Sequence, residues 1–383
     1  MLASSRFAKA LLSIALITIF FACLTACSHM NPINLFTKAA ADCQISDIVF
    51  DEATGLKVDL YYPESYRCDS RPEKAASKVQ YPTIIFVHGG SWQSGTKEMY
   101  GPVGAQLAKL GYVVAVPQYR LYPNAVYPEF IKDLERFVLW FSEYGADYSM
   151  STKNVQFMAH SAGAFNVADY LFNKDYQKPL QFKQFVSLAG PHDFFLPTTS
   201  PKFAPIFNVR GANNKEALPI FKLYAQDADS NRANTAQDAQ SLNNSATNAI
   251  REGESTKTVE RVILLHGEDD DTVAPENLIT FYEALRAQNI PSFRVLYRDT
   301  GHVGIVTALS GLPLTNSVIL SDVKAFVKAG FRVSNSGPED ESYPEGVITD
   351  EHRIVGADIP LSLDTNSAFK RSAIDLIGAV AAE

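Results

Sequence analysis

The sequence predicts an α/β fold with a mostly parallel central sheet, helices on both faces and a cap insertion. From about residue 80, short apolar runs rich in β-branched and aromatic residues alternate, over about 250 residues, with segments whose apolar residues recur every three or four positions. Such alternation is typical of βαβ units. Residues 192–258 interrupt it with a stretch rich in Asn, Ala and Asp that is too long for a simple crossover, so we expect a helical cap there.

The first 26 residues read as an export signal. Arg6 and Lys9 precede an apolar run at residues 10–21, which has the length of a signal-peptide core and is too short to span a bilayer well. The sequence Leu24-Thr25-Ala26-Cys27 follows and resembles the lipobox of bacterial lipoproteins, in which the cysteine carries the lipid and becomes the first mature residue. An ordinary cleaved signal with an incidental cysteine is the alternative, and residues 20–23 are a weaker lipobox match.

The lipobox resemblance implies a location and a membrane partner. Cys27 would hold the chain to the membrane through its acyl chains, with residues 27–44 as a tether. In lipoproteins the residue after the cysteine influences sorting, and Ser28 fits the outer membrane of a Gram-negative bacterium, with the face of that membrane left open. Removing residues 1–26 changes the formal net charge from −8 to −10. No basic block offsets this charge, so we expect no nucleic-acid partner.

The folded domain is expected to span residues 45–332 and to begin with a hairpin. Its strands are predicted at residues 45–51 and 57–62, joined by a turn at 53–55. Cys43 and Cys68 flank the open ends of this hairpin, and an exported protein meets an oxidising environment, so a disulfide between them is predicted. Two unpaired thiols are the alternative.

Six further strands and the helices between them complete the domain. One crossover helix is indicated by the apolar spacing between Phe130 and Phe141, with Gly145 as its stop. Residues 333–383 are polar and weakly patterned until an apolar end, and we treat them as a C-terminal extension without an assigned structure. The predicted strands are 83–87, 112–116, 155–158, 182–188, 262–265 and 293–297.

The strand at 155–158 runs into Ala159-His160-Ser161-Ala162-Gly163, which is followed by a helical segment at 164–172. A serine hydroxyl is a weak nucleophile unless a sharp turn exposes it beside a base. Small residues around Ser161 permit such a turn, and the helix N-terminus favours developing negative charge. Ser161 is therefore the candidate nucleophile, although Ala159 departs from the G-x-S-x-G pattern. A serine that merely caps the helix is the alternative.

The strand at 83–87 ends in His88-Gly89-Gly90-Ser91-Trp92. Ester hydrolysis creates an oxyanion that backbone N–H groups must stabilise, and a glycine pair lets the main chain approach a ligand closely. We expect the N–H groups of Gly90 and Ser91, with Gly89 and Ala162, to form this oxyanion hole, and His88 to brace the loop. A flexible turn without this role is the alternative.

The two remaining catalytic groups are predicted after two later strands. A general base must be held in the correct tautomer by a carboxylate. His302 follows the strand at 293–297 and is the candidate base. The strand at 262–265 leads into His266-Gly267-Glu268-Asp269-Asp270-Asp271, in which Asp270 is the candidate acid, with Asp269 and Asp271 as alternatives.

Over residues 80–330 these motifs, together with those at 118–121 and 189–194, resemble the carboxylesterase branch of the α/β-hydrolase superfamily, near the group that contains acetyl-xylan and feruloyl esterases, kynurenine formamidase and isoprenylcysteine methylesterase. The resemblance implies an α/β-hydrolase fold and the Ser161, Asp270 and His302 triad. The spacing from His266 to Val273 is what selects Asp270 in this family.

The implied activity is hydrolysis of small acyl esters through an acyl-enzyme, with no metal and no organic cofactor. An amide or formamide hydrolase with the same triad is one alternative, and a lipid-anchored binding protein without catalysis is another. Trp92 and Phe194 are candidates for an apolar substrate pocket, although buried core is the commoner place for aromatic residues. The resemblance leaves the substrate and the oligomeric state open.

Overall fold

The computed structural model describes residues 43–66, 79–193, 203–207, 217–220, 222–223, 258–312, 315–329 and 347–356. The predicted signal peptide and the predicted tether up to residue 42 lie outside the described residues, whereas residues 43 and 44 belong to the first strand. The lipidation residue Cys27, the predicted disulfide partner Cys68 and Phe194 also lie outside them, as do most of the predicted cap and most of the C-terminal extension. Within the described ranges, no helix combines the length and the apolar character needed to cross a membrane.

One sheet organises the described part of the chain. Its strands are β1 (Cys43–Asp51), β2 (Leu56–Tyr62), β3 (Tyr81–Val87), β4 (Val113–Pro117), β5 (Met150–His160), β6 (Phe185–Leu188), β7 (Val262–Gly267), β8 (Ser292–Tyr297) and β9 (Arg353–Val355). Their spatial order is β1-β2-β4-β3-β5-β6-β7-β8-β9. The six strands β3 to β8 run parallel to one another, whereas β1, β2 and β9 are antiparallel to their neighbours at the two edges.

Helices cover both faces of this sheet, and each face has its own apolar core. The helices are α1 (Gly101–Ala108), α2 (Glu129–Tyr144), α3 (Ala162–Phe172), α4 (Glu276–Ala287), α5 (Gly304–Thr307) and α6 (Ser317–Ala329). Residues of α2, α3 and α4 pack with one set of strand side chains, and residues of α1, α5 and α6 pack with the other. In β3, for example, Ile85 belongs to the first core and Ile84 to the second, as alternation along a strand requires. The predicted α/β class is confirmed.

The eight predicted strands are all present, and β9 is an addition. It pairs antiparallel with β8 and comes from the predicted C-terminal extension, so the sheet includes residues beyond 332. The predicted hairpin of β1 and β2 is confirmed, with Gly55 at a φ of 70° in its turn. Cys43 takes part in a disulfide bond, as predicted, while its pairing with Cys68 stays a prediction.

The predicted end of α2 at Gly145 is confirmed, because the helix ends at Tyr144 with Gly145 as its C-cap. The chain continues as a 3-10 turn over Gly145–Tyr148 and enters the left-handed region only at Ser149, whose φ is 59°. Gly145 has right-handed helical geometry, and a Cβ there would lie 2.7 Å from the ring of Phe141. Glycine is thus needed at this position for close packing and not for the change of direction.

Candidate active site

Ser161 occupies a sharp turn between β5 and α3. Its φ of 54° and ψ of −124° are unusual for a residue with a side chain, and such strain persists only where the surroundings enforce it. The backbone N–H of Ser161 donates to the carbonyl of Leu188 over 2.9 Å. A Cβ on Gly163 would lie 2.3 Å from the carbonyl oxygen of His88, so glycine alone lets α3 begin this close to the end of β3. Ala159 is buried within the sheet, where it pairs with Val87.

The three predicted catalytic side chains form one chain of hydrogen bonds. Nε2 of His302 lies 2.8 Å from Oγ of Ser161, and Nδ1 of His302 lies 2.8 Å from Oδ2 of Asp270. A carboxylate only accepts, so Nδ1 of His302 carries a proton and, in the neutral ring, Nε2 accepts from the Ser161 hydroxyl. This is the tautomer in which an imidazole can remove the serine proton.

Asp270 is selected from the three adjacent aspartates by burial and by its partners. Its Oδ1 accepts from the backbone N–H groups of Thr272 at 3.0 Å and Val273 at 2.8 Å. Its Oδ2 also lies 3.2 Å from Nε2 of His266. Asp269 and Asp271 are both exposed.

The environment of Asp270 keeps its carboxylate ionised. Burial by itself raises the pKa of Asp270, but hydrogen bonds from His266 and His302 outweigh this effect and hold the pKa well below its ordinary value. A charged carboxylate beside His302 stabilises the protonated ring that forms when the base takes up a proton.

The loop at residues 88–92 lies against Ser161 and has an uncommon backbone. Gly90, Ser91 and Trp92 have φ values of 128°, 53° and 58°. A Cβ on Gly90 would lie 2.0 Å from the carbonyl oxygen of Ser94, and one on Gly89 would lie 3.0 Å from Cβ of Ser161. Both glycines are therefore required by close packing, and the loop passes directly beside the serine.

The predicted oxyanion donors differ in whether they already have a partner. The N–H of Gly89 donates to the hydroxyl of Tyr100 over 3.1 Å, which occupies it. The N–H groups of Gly90, Ser91 and Ala162 donate to no acceptor among the described residues. His88 is buried and its Nδ1 lies 2.9 Å from the Gly89 carbonyl, in agreement with the predicted bracing of the loop. Burial lowers the pKa of His88 to about 4.

Trp92 belongs to an aromatic cluster beneath the loop. Its side chain is only 2% exposed, which supports the core alternative over the predicted pocket lining. Nε1–H of Trp92 donates to Oδ1 of Asn166 on α3 over 2.9 Å. Its ring centroid lies 4.8 to 6.0 Å from those of four phenylalanines, Phe130, Phe165, Phe203 and Phe207.

Three residues that sequence reasoning did not assign also contact the site. Nε2 of His160 lies 3.0 Å from the carbonyl oxygen of His302, and Nδ1 of His160 lies 3.0 Å from the hydroxyl of Tyr100. His266 shares Asp270 with the base. His160 and His266 belong to the motifs described above, but nothing in those motifs reveals where their rings point. Tyr100 belongs to no motif.

Other histidines and acidic groups do not form a second centre in the described part of the chain. There, no cluster of three or more His, Cys, Asp or Glu side chains has the geometry to hold a metal ion. Besides His302, one other histidine, His352, follows His266 in the sequence. His352 is exposed, and its Nε2 lies 3.5 Å from the Glu351 carboxylate.

Comparisons with known proteins agree with this fold and these motifs. The BD-FAE family model matches residues 71–285, which is more than half of the chain. Esterase B of Lactobacillus rhamnosis, solved with a tributyrin phosphonate inhibitor, superposes with a TM-score of 0.52 at 17% identity and covers 82% of this chain and 94% of its own. Esterase 2 of Thermogutta terrifontis has a TM-score of 0.51 at 16% identity and covers 75% of this chain and 96% of its own. These structures establish the fold.

Curated relatives include members of two enzyme groups. An Arabidopsis thaliana protein named "Probable isoprenylcysteine alpha-carbonyl methylesterase ICMEL2" is 23% identical over 67% of this chain and 57% of its own length. The kynurenine formamidase of Drosophila melanogaster is 28% identical over 43% of this chain and 55% of its own length. The chain thus spans little more than half the length of these relatives. From the family match and the nine-stranded sheet, the chain belongs to the BD-FAE family, within the carboxylesterase branch of the α/β-hydrolase superfamily.

Proposed function

We propose that this protein is a serine hydrolase that cleaves small carboxylic esters through an acyl-enzyme. The observation that carries the proposal is the hydrogen-bonded chain from Ser161 through His302 to Asp270, with 2.8 Å at both junctions. A nucleophile within reach of a base, which is itself oriented by a third group, is the arrangement that acyl transfer needs.

The reaction has two halves. Nε2 of His302 takes the proton of Ser161 as Oγ attacks the ester carbonyl carbon, and the carbonyl oxygen becomes an oxyanion. When the tetrahedral intermediate collapses, the bond to the alcohol oxygen breaks and His302 returns its proton to the leaving alcohol. Water then attacks the acyl-enzyme with His302 as base again, which releases the acid and restores Ser161.

The oxyanion is assigned to the N–H groups of Gly90, Ser91 and Ala162. Two features support this assignment. These groups have no acceptor among the described residues, and the first of them lies in a loop packed beside Ser161. Ala162 is also the first residue of α3, where the helix dipole favours negative charge. Gly89 is left out because its N–H is held by Tyr100.

A second candidate activity is hydrolysis of an amide or formamide by the same residues. The similarity to a kynurenine formamidase favours it. Ester and amide hydrolysis use the same triad, so parallel rates on matched substrates, such as p-nitrophenyl acetate and an N-formyl aniline, decide between the two.

The proposed location is the outer membrane, by way of lipidated Cys27. The disulfide at Cys43 supports export, because such bonds persist in oxidising compartments. Membrane fractionation of the full chain and its Cys27→Ala variant tests this: the variant is expected in the soluble fraction, and an unchanged membrane fraction contradicts the proposal.

Replacing the serine tests the proposed activity. We expect Ser161→Ala to abolish hydrolysis of p-nitrophenyl acetate and labelling by a fluorophosphonate probe, with an unchanged circular dichroism spectrum. Ser142→Ala is the matched control, because that hydroxyl donates only to the carbonyl of Leu139 on α2. Undiminished activity in purified Ser161→Ala would contradict the mechanism.

A further inference from the structure

We propose that His160, the residue before the proposed nucleophile, is a positioning residue that links the loop at 88–92 to the segment that carries the base. The proposal rests on the function argued above and adds a residue to it. His160 does not touch the reacting atoms; it acts through the backbone of His302 on one side and through Tyr100 on the other.

In each hydrogen bond around His160, the chemistry of the partners fixes which group donates and which accepts. The carbonyl of His302 can only accept, so Nε2 of His160 must carry the proton in the bond of 3.0 Å between them. In a neutral ring Nδ1 is then an acceptor, and the hydroxyl of Tyr100, 3.0 Å away, must donate to it. That hydroxyl in turn accepts from the N–H of Gly89 over 3.1 Å.

Burial keeps the His160 ring neutral and therefore preserves this pattern of donor and acceptor. His160 is 4% exposed, and burial lowers its pKa to about 3, with a smaller contribution from the neighbouring His302. The ring is therefore neutral at physiological pH and keeps one donor and one acceptor. Both nitrogens have a partner, and a buried ring with a fixed tautomer holds its partners in one orientation.

The chain of bonds connects two segments that are distant in sequence. His160 and His302 are 142 residues apart, and Tyr100 and His160 are 60 apart. Gly89 packs directly on this ring, since a Cβ at residue 89 would lie 2.9 Å from Nδ1 of His160. The same side chain, that of His160, thus sets the position of His302 relative to Ser161 and the position of the loop at 88–92.

This role predicts a loss of turnover with little effect on substrate binding. A misplacement of about 1 Å at a catalytic group can lower the rate by about 100-fold. We expect His160→Leu, which keeps a similar volume and removes both bonds, to lower kcat for p-nitrophenyl acetate by about 10- to 100-fold, with KM changed by less than about 3-fold.

A conservative variant and a partner variant sharpen the test. His160→Gln places an amide N–H near the position of Nε2, so it should recover about 5-fold or more of the kcat lost in His160→Leu. Tyr100→Phe removes the middle link and should lower kcat by about 3- to 10-fold. The double variant Tyr100→Phe with His160→Leu should be no slower than His160→Leu alone within about 2-fold, because both changes break the same chain of bonds.

His192→Leu is the matched control. His192 is a second buried histidine, 1% exposed, whose Nε2 lies 2.8 Å from Oγ of Ser187 and whose ring stacks on Phe281. Its loss should alter thermal stability while kcat stays within about 3-fold of the original protein.

The possible results distinguish failure of the positioning role from failure of the proposed function. A fall in kcat that is rescued by His160→Gln and absent in His192→Leu supports the positioning role. The positioning role is overturned if the original protein hydrolyses p-nitrophenyl acetate and kcat in His160→Leu is unchanged or falls no further than in His192→Leu. That result leaves the proposed function standing. A purified original protein that hydrolyses no ester and reacts with no fluorophosphonate overturns both.

Discussion

The indole N–H of Trp92, the last residue of the loop at 88–92, donates to the buried side-chain oxygen of Asn166 over 2.9 Å. This bond ties the loop at 88–92 to the helix that begins beside Ser161. Nδ2 of Asn166 has no hydrogen-bond partner within the part of the chain that the structure describes. The bond from Trp92 therefore compensates for burial of the amide oxygen, Oδ1, but not of the amide nitrogen.

Trp92→Phe should lower both stability and kcat. The change keeps an aromatic ring but leaves Oδ1 of Asn166 buried without a donor, which costs about 1–3 kcal/mol of unfolding free energy. Urea unfolding and p-nitrophenyl acetate kinetics measure the two effects. Trp140→Phe is the control. Trp140 lies on α2, and its ring packs against Phe50 and Phe137, which make none of the contacts described for the site. Equal losses in the two variants would show that the bond to Asn166 has no special role.

Asp270→Asn should lower kcat by about 10³- to 10⁴-fold, because an amide donor opposite Nδ1 favours the wrong tautomer of His302. Asp271→Asn is the matched control, since Asp271 is exposed and accepts only from the Thr272 hydroxyl at 3.3 Å. Purified variants with unchanged thermal midpoints give the comparison. Similar activity in both would remove Asp270 from the mechanism.

Gly163→Ala should disrupt the start of α3. The new Cβ would lie 2.3 Å and 2.4 Å from the backbone oxygens of His88 and Val87, which cannot move without shifting the loop at 88–92. We expect a loss of at least about 1–3 kcal/mol in unfolding free energy, together with a fall in kcat. In Gly304→Ala the nearest atom, Cγ2 of Thr300, would be 3.6 Å away, so that control should keep its stability. A fully stable and active Gly163→Ala would contradict the packing argument.

His192 should make the protein less stable in mild acid. Burial lowers the pKa of His192 to about 3, whereas in the unfolded chain it is about 6.5. Between these values the unfolded chain binds a proton that the folded chain cannot, so falling pH favours unfolding. At pH 5 this lowers the unfolding free energy by roughly 2 kcal/mol relative to neutral pH.

Urea unfolding of the original protein and of His192→Leu at pH 7 and pH 5 measures this effect. The stability difference between the two proteins should move in favour of the variant by roughly that amount as the pH falls. A difference that is the same at both pH values would show that His192 is not a buried neutral group. The raised pKa values of Asp169 and Asp322, each to about 6 through burial, act with the opposite sign but are common to both proteins.

The positions of eight strands along the chain and the three catalytic candidates were predictable from local patterns, whereas the spatial order of the strands in the sheet was not. Short β-branched runs identified β1 to β8, and in a parallel sheet the carboxyl ends of the strands share one edge. Residues just after β5, β7 and β8 must therefore approach one another, which is why Ser161, Asp270 and His302 could be assigned together. The edge strand β9 was missed because three residues carry too little periodicity to be recognised.

Local sequence by itself determined the fold class, the order of the motifs and the glycines of the loop at 88–92, because these depend on spacing and on backbone conformation. Only the tertiary structure decided that Asp270 is the buried aspartate, that Trp92 is core, and that Tyr100 occupies the N–H of Gly89. These outcomes depend on tertiary contacts, such as those of Asp270 with His302, of Trp92 with Phe207 and of the Tyr100 hydroxyl with the Gly89 N–H. The directions in which such side chains point are set by packing and by the pairing of buried donors with acceptors, and neither leaves a local pattern.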